Sequence, residues 1–185
     1  FSRLDTMVTL VDCYNFKKDF GTDELLLDRD WVDDQVDRRT IVNLLTDQIE
    51  FANVIILNKT DLVSEEDLKL IRAVIRKLNP SARQIESVYS KIDLKEILNT
   101  GLFDFETSSQ GAGWIKELNT IHEPETEEYG ISSTVFRSSR PFHPQRLWNY
   151  LNVDFPNNIL RTKGLFWIAA LPDYALNFSQ AGGAL

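Results

Sequence analysis

Short apolar runs alternate with amphipathic stretches along the first hundred residues. The runs Met7–Val11 and Val54–Leu57 are continuous and rich in β-branched residues, which predicts two buried strands. Between them, from Asp37 onward, apolar residues recur at steps of three and four, which is the spacing of one helix face. These residues are Ile41, Leu44, Leu45 and Ile49.

A second helix is predicted to begin after Ser64, because Ser64-Glu65-Glu66-Asp67 has the pattern of a capping box. It ends at Asn79-Pro80, since proline cannot continue a helix. Arg83–Val88 is typical of a third strand, and Asp93–Leu98 of a short helix. Strands that alternate with helices indicate βαβ units, so the predicted fold class is α/β with a mostly parallel sheet.

The pattern changes at Asp104. Residues 104–128 contain two glycines, one proline and six glutamates with few spaced apolar residues, which is typical of a linker. Beyond it, Ile131–Phe136 predicts a strand, Pro144–Leu151 a helix that begins with proline, and Leu165–Leu171 another strand. We therefore expect an α/β part, a linker and a smaller α+β part, at residues 1–103, 104–128 and 129–185.

Composition narrows the possible functions. The 185 residues carry a net charge of −8, which argues against nucleic acid as the partner because such proteins usually present a basic face. The longest apolar run, Gly164–Leu171, is far shorter than the ~20 residues that span a bilayer, so no membrane partner is expected. A single cysteine, Cys13, excludes a disulfide framework within the chain and favours a reducing compartment, the cytoplasm.

The sharpest local motif is Asn58-Lys59-Thr60-Asp61, directly after a predicted strand. Guanine presents an N–H and an amine side by side, and the Asp61 carboxylate can accept from both. Asn58 can bond the ring and brace the loop, while the stem of Lys59 lies over the base. Ligands of α/β sheets bind at the carboxyl ends of the strands, which favours this interpretation. The alternative is a turn in which Asn58 and Asp61 only cap backbone amides.

Longer segments around this motif resemble one family, the CobW-type metallochaperone GTPases, a branch of the P-loop GTPases. Asp47-Gln-Ile-Glu-Phe-Ala-Asn53 leads into Val-Ile-Ile-Leu-Asn-Lys-Thr-Asp-Leu62 as it does in that family. The resemblance runs from about Leu4 to Gly183, nearly the whole chain. Four more segments carry it: Leu4–Phe16, Glu128–Ser133, Arg140–Leu147 and Leu160–Ala169.

The resemblance implies a GTPase that couples nucleotide turnover to the delivery of zinc or cobalt to a client metalloprotein. GTP or GDP with Mg²⁺ is the implied cofactor of the intact protein, and an oligomer is possible. The implied fold is a partial P-loop GTPase sheet followed by part of the family's C-terminal domain. The expected nucleotide-binding residues are Asn58, Lys59, Asp61 and Ser87.

Two of these positions have a second interpretation. Ser87 lies where the family's last guanine-contacting loop follows its strand, in Ile85-Glu-Ser-Val-Tyr89, but a plain serine at a strand end fits equally well. Asp12 ends the first strand in the family's Val-Asp pattern. It either faces the nucleotide or accepts hydrogen bonds from turn amides, and the turn is the preferred interpretation.

The family's phosphate-binding loop, Gly-x-x-x-x-Gly-Lys-[Ser/Thr], does not occur in these 185 residues, and neither does its Cys-x-Cys-Cys metal motif. We expect both upstream of Phe1. Without the loop's amides and lysine, this chain alone is not expected to hydrolyse GTP, so no catalytic residue is assigned. The alternative function is a non-catalytic protein-interaction module that has lost nucleotide turnover.

No metal ligand is assigned either. His122 lies among glutamates in the predicted linker, where a solvated acidic segment is the preferred interpretation. His143 precedes Pro144, as a residue that caps a helix does, and Cys13 is expected in the core. The large aromatic residues of the second half are also expected in the core: Trp114, Trp148, Trp167, Phe136, Phe142 and Phe166.

Overall fold

The computed structural model describes residues 3–21, 24–29, 40–105 and 131–182. Contacts divide the chain into two compact units. The first consists of Phe1–Asp19 and Leu45–Ser133, and the second of Phe20–Leu44 and Thr134–Leu185. Residues 106–130 lie outside the described ranges, so the linker at 104–128 and its boundaries stay predictions.

A parallel sheet of three strands organises the first unit. Its strands are β1 (Val8–Asp12), β2 (Val54–Asn58) and β3 (Arg83–Glu86), in the order β1-β2-β3. The register pairs Asp12 with Asn58. All five residues of the central strand β2 are buried, as its continuous apolar run predicts. The three strands and the parallel α/β fold class are thereby confirmed.

The prediction that β1 is fully buried was wrong. Val8 is 40% exposed and Leu10 is 51% exposed, whereas Val11 is buried. Alternate side chains of a strand face opposite sides of the sheet. Among the described residues, β1 pairs only with β2 and is an edge strand, so Val8 and Leu10 are exposed although their register partners Val54 and Ile56 are buried.

Three helices accompany this sheet along the chain: α1 (Cys13–Phe20), α2 (Ile41–Phe51) and α3 (Glu65–Leu78). The predicted cap of α3 is confirmed, because the Ser64 hydroxyl accepts from the backbone N of Asp67 at 3.1 Å. The short helix predicted at residues 93–98 is one 3₁₀ turn, Leu94–Glu96. Helix α1 was not predicted from the sequence, because only three of its side chains form an apolar face. These are Cys13, Phe16 and Phe20, and all are buried.

Asn79 joins the ends of two helices. It follows α3 and is buried, and its Nδ2 lies 2.8 Å from the carbonyl oxygen of Ile49 and 2.9 Å from that of Ala52. Glu50 contributes a third carbonyl oxygen at 3.1 Å. The last carbonyls of a helix have no partner within the helix, so this one amide satisfies the end of α2.

The second unit contains an antiparallel hairpin and one short helix. Helix α4 (Pro144–Asn149) lies within the helix predicted at 144–151, and a π turn follows it. Strand β4 (Arg161–Phe166) pairs with β5 (Leu176–Ala181). The strand predicted at 165–171 thus begins earlier and ends at Phe166, because the chain leaves the hairpin there and Ile168 forms an isolated bridge to Phe142.

Two expectations for this unit were wrong. Ile131–Phe136 forms no strand, since its alternating pattern has no partner strand among the described residues. Phe136 is 77% exposed and Trp148 is 65% exposed, so neither is a core residue. Phe142, Phe166 and Trp167 are half-buried. Trp114 lies outside the described residues.

Edge-to-face aromatic contacts hold the hairpin unit together. The ring centroids of Phe142 and Phe166 are 5.8 Å apart, and Phe178 lies 6.4 Å from both Phe166 and Phe155. Such pairs each add about 0.5–1.5 kcal/mol beyond the area they bury. No helix in the described ranges is long and apolar enough to cross a membrane.

Candidate functional site

Polar side chains follow the strands of the parallel sheet at the edge where the strands end. Asp12 is the last residue of β1, Asn58 is the last of β2, and Ser87 comes directly after β3. Because the strands are parallel, these three residues lie at the same edge of the sheet. This edge is where open α/β sheets bind their ligands.

Asn58 is buried and braces the loop that follows β3. Its Oδ1 accepts a hydrogen bond from the backbone N of Ser90 at 2.8 Å and another from the Ser87 hydroxyl at 3.2 Å. A buried side-chain oxygen with two donors is held in one orientation. Asn58 therefore braces the loop after β3, and its contact with a guanine ring stays a prediction.

Lys59 stands in the left-handed region of backbone conformation, with φ 60° and ψ 36°. A residue with a Cβ adopts this conformation at a cost of about 1–2 kcal/mol, and such positions cluster at functional sites. Its Nζ lies 2.7 Å from Oδ2 of Asp12. The lysine therefore bridges from the loop after β2 to the end of β1.

Asp12 receives four hydrogen bonds. Oδ1 accepts from the backbone N of Tyr14 at 3.0 Å and of Asn15 at 3.2 Å, which caps the start of α1. Oδ2 accepts from Nδ2 of Asn15 at 2.8 Å as well as from Lys59. Burial raises the pKa of the Asp12 carboxyl, but these hydrogen bonds outweigh it and the pKa is lower than usual. The preferred turn interpretation of Asp12 is confirmed, and the contact with Lys59 adds to it.

Asp61 differs from its neighbours because its side chain is exposed. It lies in a single 3₁₀ turn, Thr60–Leu62, which the Thr60 hydroxyl ties to the backbone O of Ser87 at 3.2 Å. Within the described residues, the Asp61 carboxylate makes neither a hydrogen bond nor an ion pair. The turn therefore fixes the backbone of Asp61, while its carboxylate oxygens face solvent.

Ser87 connects β3 to the loop after β2. Its side chain is buried, its hydroxyl donates to Asn58, and its backbone N donates to the carbonyl of Leu57 at 2.8 Å. Among the described atoms, the hydroxyl is turned to Asn58 and away from solvent. Direct contact between Ser87 and a nucleotide stays a prediction.

The turn Val88–Lys91 was not predicted from the sequence. The backbone N of Lys91 donates to the O of Val88 at 3.2 Å, and Tyr89 and Ser90 have φ of 54° and 55°. Two consecutive positive φ values define a type I′ turn, which usually contains Asn and Gly. The Tyr89 side chain is 81% exposed beside the bracing contact between Ser90 and Asn58.

The other candidate residues have structural roles. Burial and the charges of Asp12 and Glu86 raise the pKa of Cys13 to about 11, so its thiol stays protonated at neutral pH. Nδ1 of His143 accepts from the backbone N of Arg146 at 3.5 Å, which is the predicted helix cap. No group of three or more His, Cys, Asp or Glu suited to a metal occurs in the described ranges. His122 lies outside them.

A parallel α/β sheet with polar loops at the carboxyl ends of its strands is a fold class that binds ligands at that edge. Residues 1–86 match the family described as CobW/HypB/UreG, nucleotide-binding domain. Residues 131–185 match the cobalamin synthesis protein cobW C-terminal domain. The chain therefore belongs to the CobW family, as the resemblance of its segments predicts.

Similar proteins include zinc-handling members of this family. The chain is 47% identical to "Zinc-regulated GTPase metalloprotein activator 1" of Dictyostelium discoideum, over 98% of the chain and 39% of that protein. It is 28% identical to "Zinc chaperone Rv0106" of Mycobacterium tuberculosis, over 99% of the chain and 41% of that protein. The chain thus spans about two fifths of these relatives. The crystal structure of zinc-bound YjiA GTPase from E. coli aligns with 98% of the chain and 49% of YjiA, at 19% identity and a TM-score of 0.37.

Proposed function

We propose that this chain is the guanine-recognition part and C-terminal domain of a GTP-dependent metallochaperone that delivers zinc to a client metalloprotein. One observation carries the proposal. The segment Asn58–Asp61 begins at the last residue of a fully buried strand, within the part of the chain that matches the CobW/HypB/UreG nucleotide-binding domain. The names of the relatives favour zinc over cobalt as the cargo. A cytoplasmic location is proposed from the family resemblance and the single cysteine.

Asp61 is proposed to recognise the guanine edge. Its exposed carboxylate can accept the two adjacent N–H donors of guanine, and adenine has no such pair. Lys59 is proposed to lay its stem over the base while its ammonium stays at Asp12. Asn58 holds the loop after β3, and the Thr60 hydroxyl donates to the backbone O of Ser87, which ties the turn that contains Asp61 to that loop.

The four proposed nucleotide-binding residues do not account for the binding of phosphate or of metal. The sequence contains no Gly-x-x-x-x-Gly-Lys-[Ser/Thr] loop, so the amides, lysine and hydroxyl that hold phosphates and Mg²⁺ in P-loop proteins are not among its side chains. The described residues also contain no cluster of carboxylates suited to Mg²⁺, and no hydrolysis step is assigned to this chain. The described residues likewise contain no cluster that would hold the cargo zinc.

The decisive variant is Asp61→Asn in the full-length protein. An amide presents one donor and one acceptor, which suits xanthine and leaves a guanine donor unpaired. We expect GDP affinity to fall at least about fivefold and xanthosine diphosphate affinity to rise, because an unpaired buried donor costs about 1–3 kcal/mol. Fluorescence titration with labelled nucleotides measures both.

Glu66→Gln is the matched control, since it makes the same acid-to-amide change on an exposed residue of the next helix. It should leave both affinities unchanged. Unaltered GDP affinity in the Asp61 variant would exclude the guanine assignment. If wild type itself does not prefer GDP to ADP, the interaction-module alternative takes its place.

Cargo transfer needs a separate measurement. The full-length protein is loaded with Zn²⁺ and mixed with a chromophoric chelator in the presence of GTP, GDP or no nucleotide. Nucleotide-dependent release of zinc is the expected result. Identical release in all three conditions would contradict the coupling of nucleotide to metal.

A further inference from the structure

Asp12 is the most completely bonded side chain at the strand ends. Four donors fix its two oxygens, and three of them belong to its own chain neighbourhood: the backbone N of Tyr14, and the backbone N and Nδ2 of Asn15. Only Lys59 comes from another segment, 47 residues away. The carboxylate is therefore oriented by α1, independently of the lysine that it binds.

Lys59 needs such an anchor. A lysine side chain has about 2 kcal/mol of rotamer entropy, and it loses this freedom when its stem is fixed against a flat ligand. The side chain of Lys59 is 43% exposed, so packing leaves it free to move. The 2.7 Å contact with Asp12 holds its far end, while the left-handed backbone holds its near end.

We propose that Asp12 is a positioning residue for nucleotide binding, which acts by holding the Lys59 ammonium so that the Lys59 stem is preorganised for the base. This inference rests on the proposed guanine site and deepens it. Asp61 sets which base is bound, and the Asp12–Lys59 pair sets how tightly any accepted base is held. The two effects are separable because affinity and base preference are measured independently.

A purely structural role for Asp12 is the competing explanation, because the same carboxylate caps α1. Asp12→Asn separates the two roles. The amide oxygen still accepts from the backbone N of Tyr14 and Asn15, but the amide nitrogen can accept neither from Lys59 nor from Nδ2 of Asn15, and only the first of these losses depends on Lys59. Asp12→Ser is a second variant that keeps a capping hydroxyl but is too short to reach Lys59.

The experiment is a double-mutant cycle in the full-length protein, with Asp12→Asn combined with Lys59→Met and with labelled GDP as the probe. Asp12→Asn is expected to weaken GDP about fivefold, the scale of a partly exposed ion pair. In the Lys59→Met background the same change should have no effect. Asp67→Asn is the matched control, since Asp67 pairs with another exposed lysine, Lys17, in an ion pair between α3 and α1.

Each outcome decides between the roles. The proposal stands if the loss depends on Lys59 and the preference for GDP over xanthosine diphosphate is unchanged. It is overturned if Asp12→Asn leaves GDP affinity unaltered, or if the loss is the same with and without Lys59. If Asp12→Asn does not fold, Asp12→Ser is carried through the same cycle. Failure of the guanine site itself would be visible separately, as a wild-type protein without preference for GDP over ADP.

Discussion

The two sheets of this chain are stabilised in different ways. In the parallel sheet, the central strand β2 is buried on both faces, with Val54, Ile55 and Leu57 fully inaccessible to solvent. In the hairpin β4–β5, only Gln180 and Ala181 are buried, and the remaining side chains are half-buried or exposed. The first sheet therefore depends on apolar burial, and the second on cross-strand aromatic pairs and local backbone geometry.

This difference places the candidate chemistry on the better-packed element. A site built at the end of a strand inherits the rigidity of that strand, and Asn58 continues a run in which every residue is buried. The hairpin offers no comparable support, because its side chains lose less solvent contact on folding. We therefore expect substitutions in the parallel sheet to lower the free energy of unfolding more than matched substitutions in the hairpin do.

The largest expected effect is at the centre of β2. Ile55→Ala removes methylene groups from a fully buried position and should lower the free energy of unfolding by about 2–5 kcal/mol. Leu165→Ala in β4 is the matched change, and it should cost less than about 1 kcal/mol because Leu165 is 64% exposed. Urea unfolding of the full-length variants measures both losses of stability. Equal losses in the two variants would contradict the proposed difference between the two sheets.

A second loss of stability, of about 2–3 kcal/mol, is expected for Gly182→Ala, directly after the last strand of the hairpin. Gly182 has φ 53°, and an added Cβ would lie 2.2 Å from the backbone O of Phe20. Gly182→Ala therefore combines left-handed strain with a clash against backbone that cannot move aside. Thermal unfolding followed by tryptophan fluorescence is the measurement.

Two other glycines separate those causes. Gly101 has φ 63° with nothing near an added Cβ, so Gly101→Ala should show only the strain of about 1–2 kcal/mol. Gly164 has open space and no positive φ, so Gly164→Ala should change little. A Gly182 variant no worse than the Gly101 variant would mean that the close approach to Phe20 contributes nothing.

A smaller effect is expected for the aromatic contacts. Phe178→Leu keeps an apolar side chain but removes both edge-to-face pairs, with Phe155 and with Phe166. The expected loss is about 1–2 kcal/mol, and protease resistance of the C-terminal unit reports it locally. Unchanged resistance would show that burial alone stabilises the hairpin.

The smallest expected effect is the pH dependence from Asp12. Its pKa is lower in the folded protein than in the unfolded chain, so its contribution is complete above the unfolded pKa and is lost as the pH falls through the folded one. Between about pH 5 and pH 3, wild type should lose a few tenths of a kcal/mol more than Asp12→Asn does. Parallel acid titrations of folding stability test this, and identical curves would contradict it.

Elements with a strong local signal were predicted correctly from the sequence. Strand β2 has four consecutive apolar residues, and α3 combines a serine cap, one apolar face and a proline stop. Each signal is contained within its own segment, so no knowledge of the remaining chain is needed. The Asn58–Asp61 loop is equally local, and its position after β2 is as predicted.

Features that depend on a distant partner were missed. Strand β5 exists because it pairs with β4, and Ile131–Phe136 alternates just as well without a partner. The link from Lys59 to Asp12 spans 47 residues. The turn at Tyr89 and Ser90 contains neither Asn nor Gly, because hydrogen bonds from the fold hold it against its local preference.

The amide of Asn79 has a consequence for the order in which the first unit opens. Its amide nitrogen, at the end of α3, donates to the carbonyls of Ile49 and Ala52 at and just after the end of α2, so fraying of α3 at Asn79 also removes these contacts from α2. We therefore expect the ends of the two helices to open together, so that their amide protons exchange with solvent at similar rates.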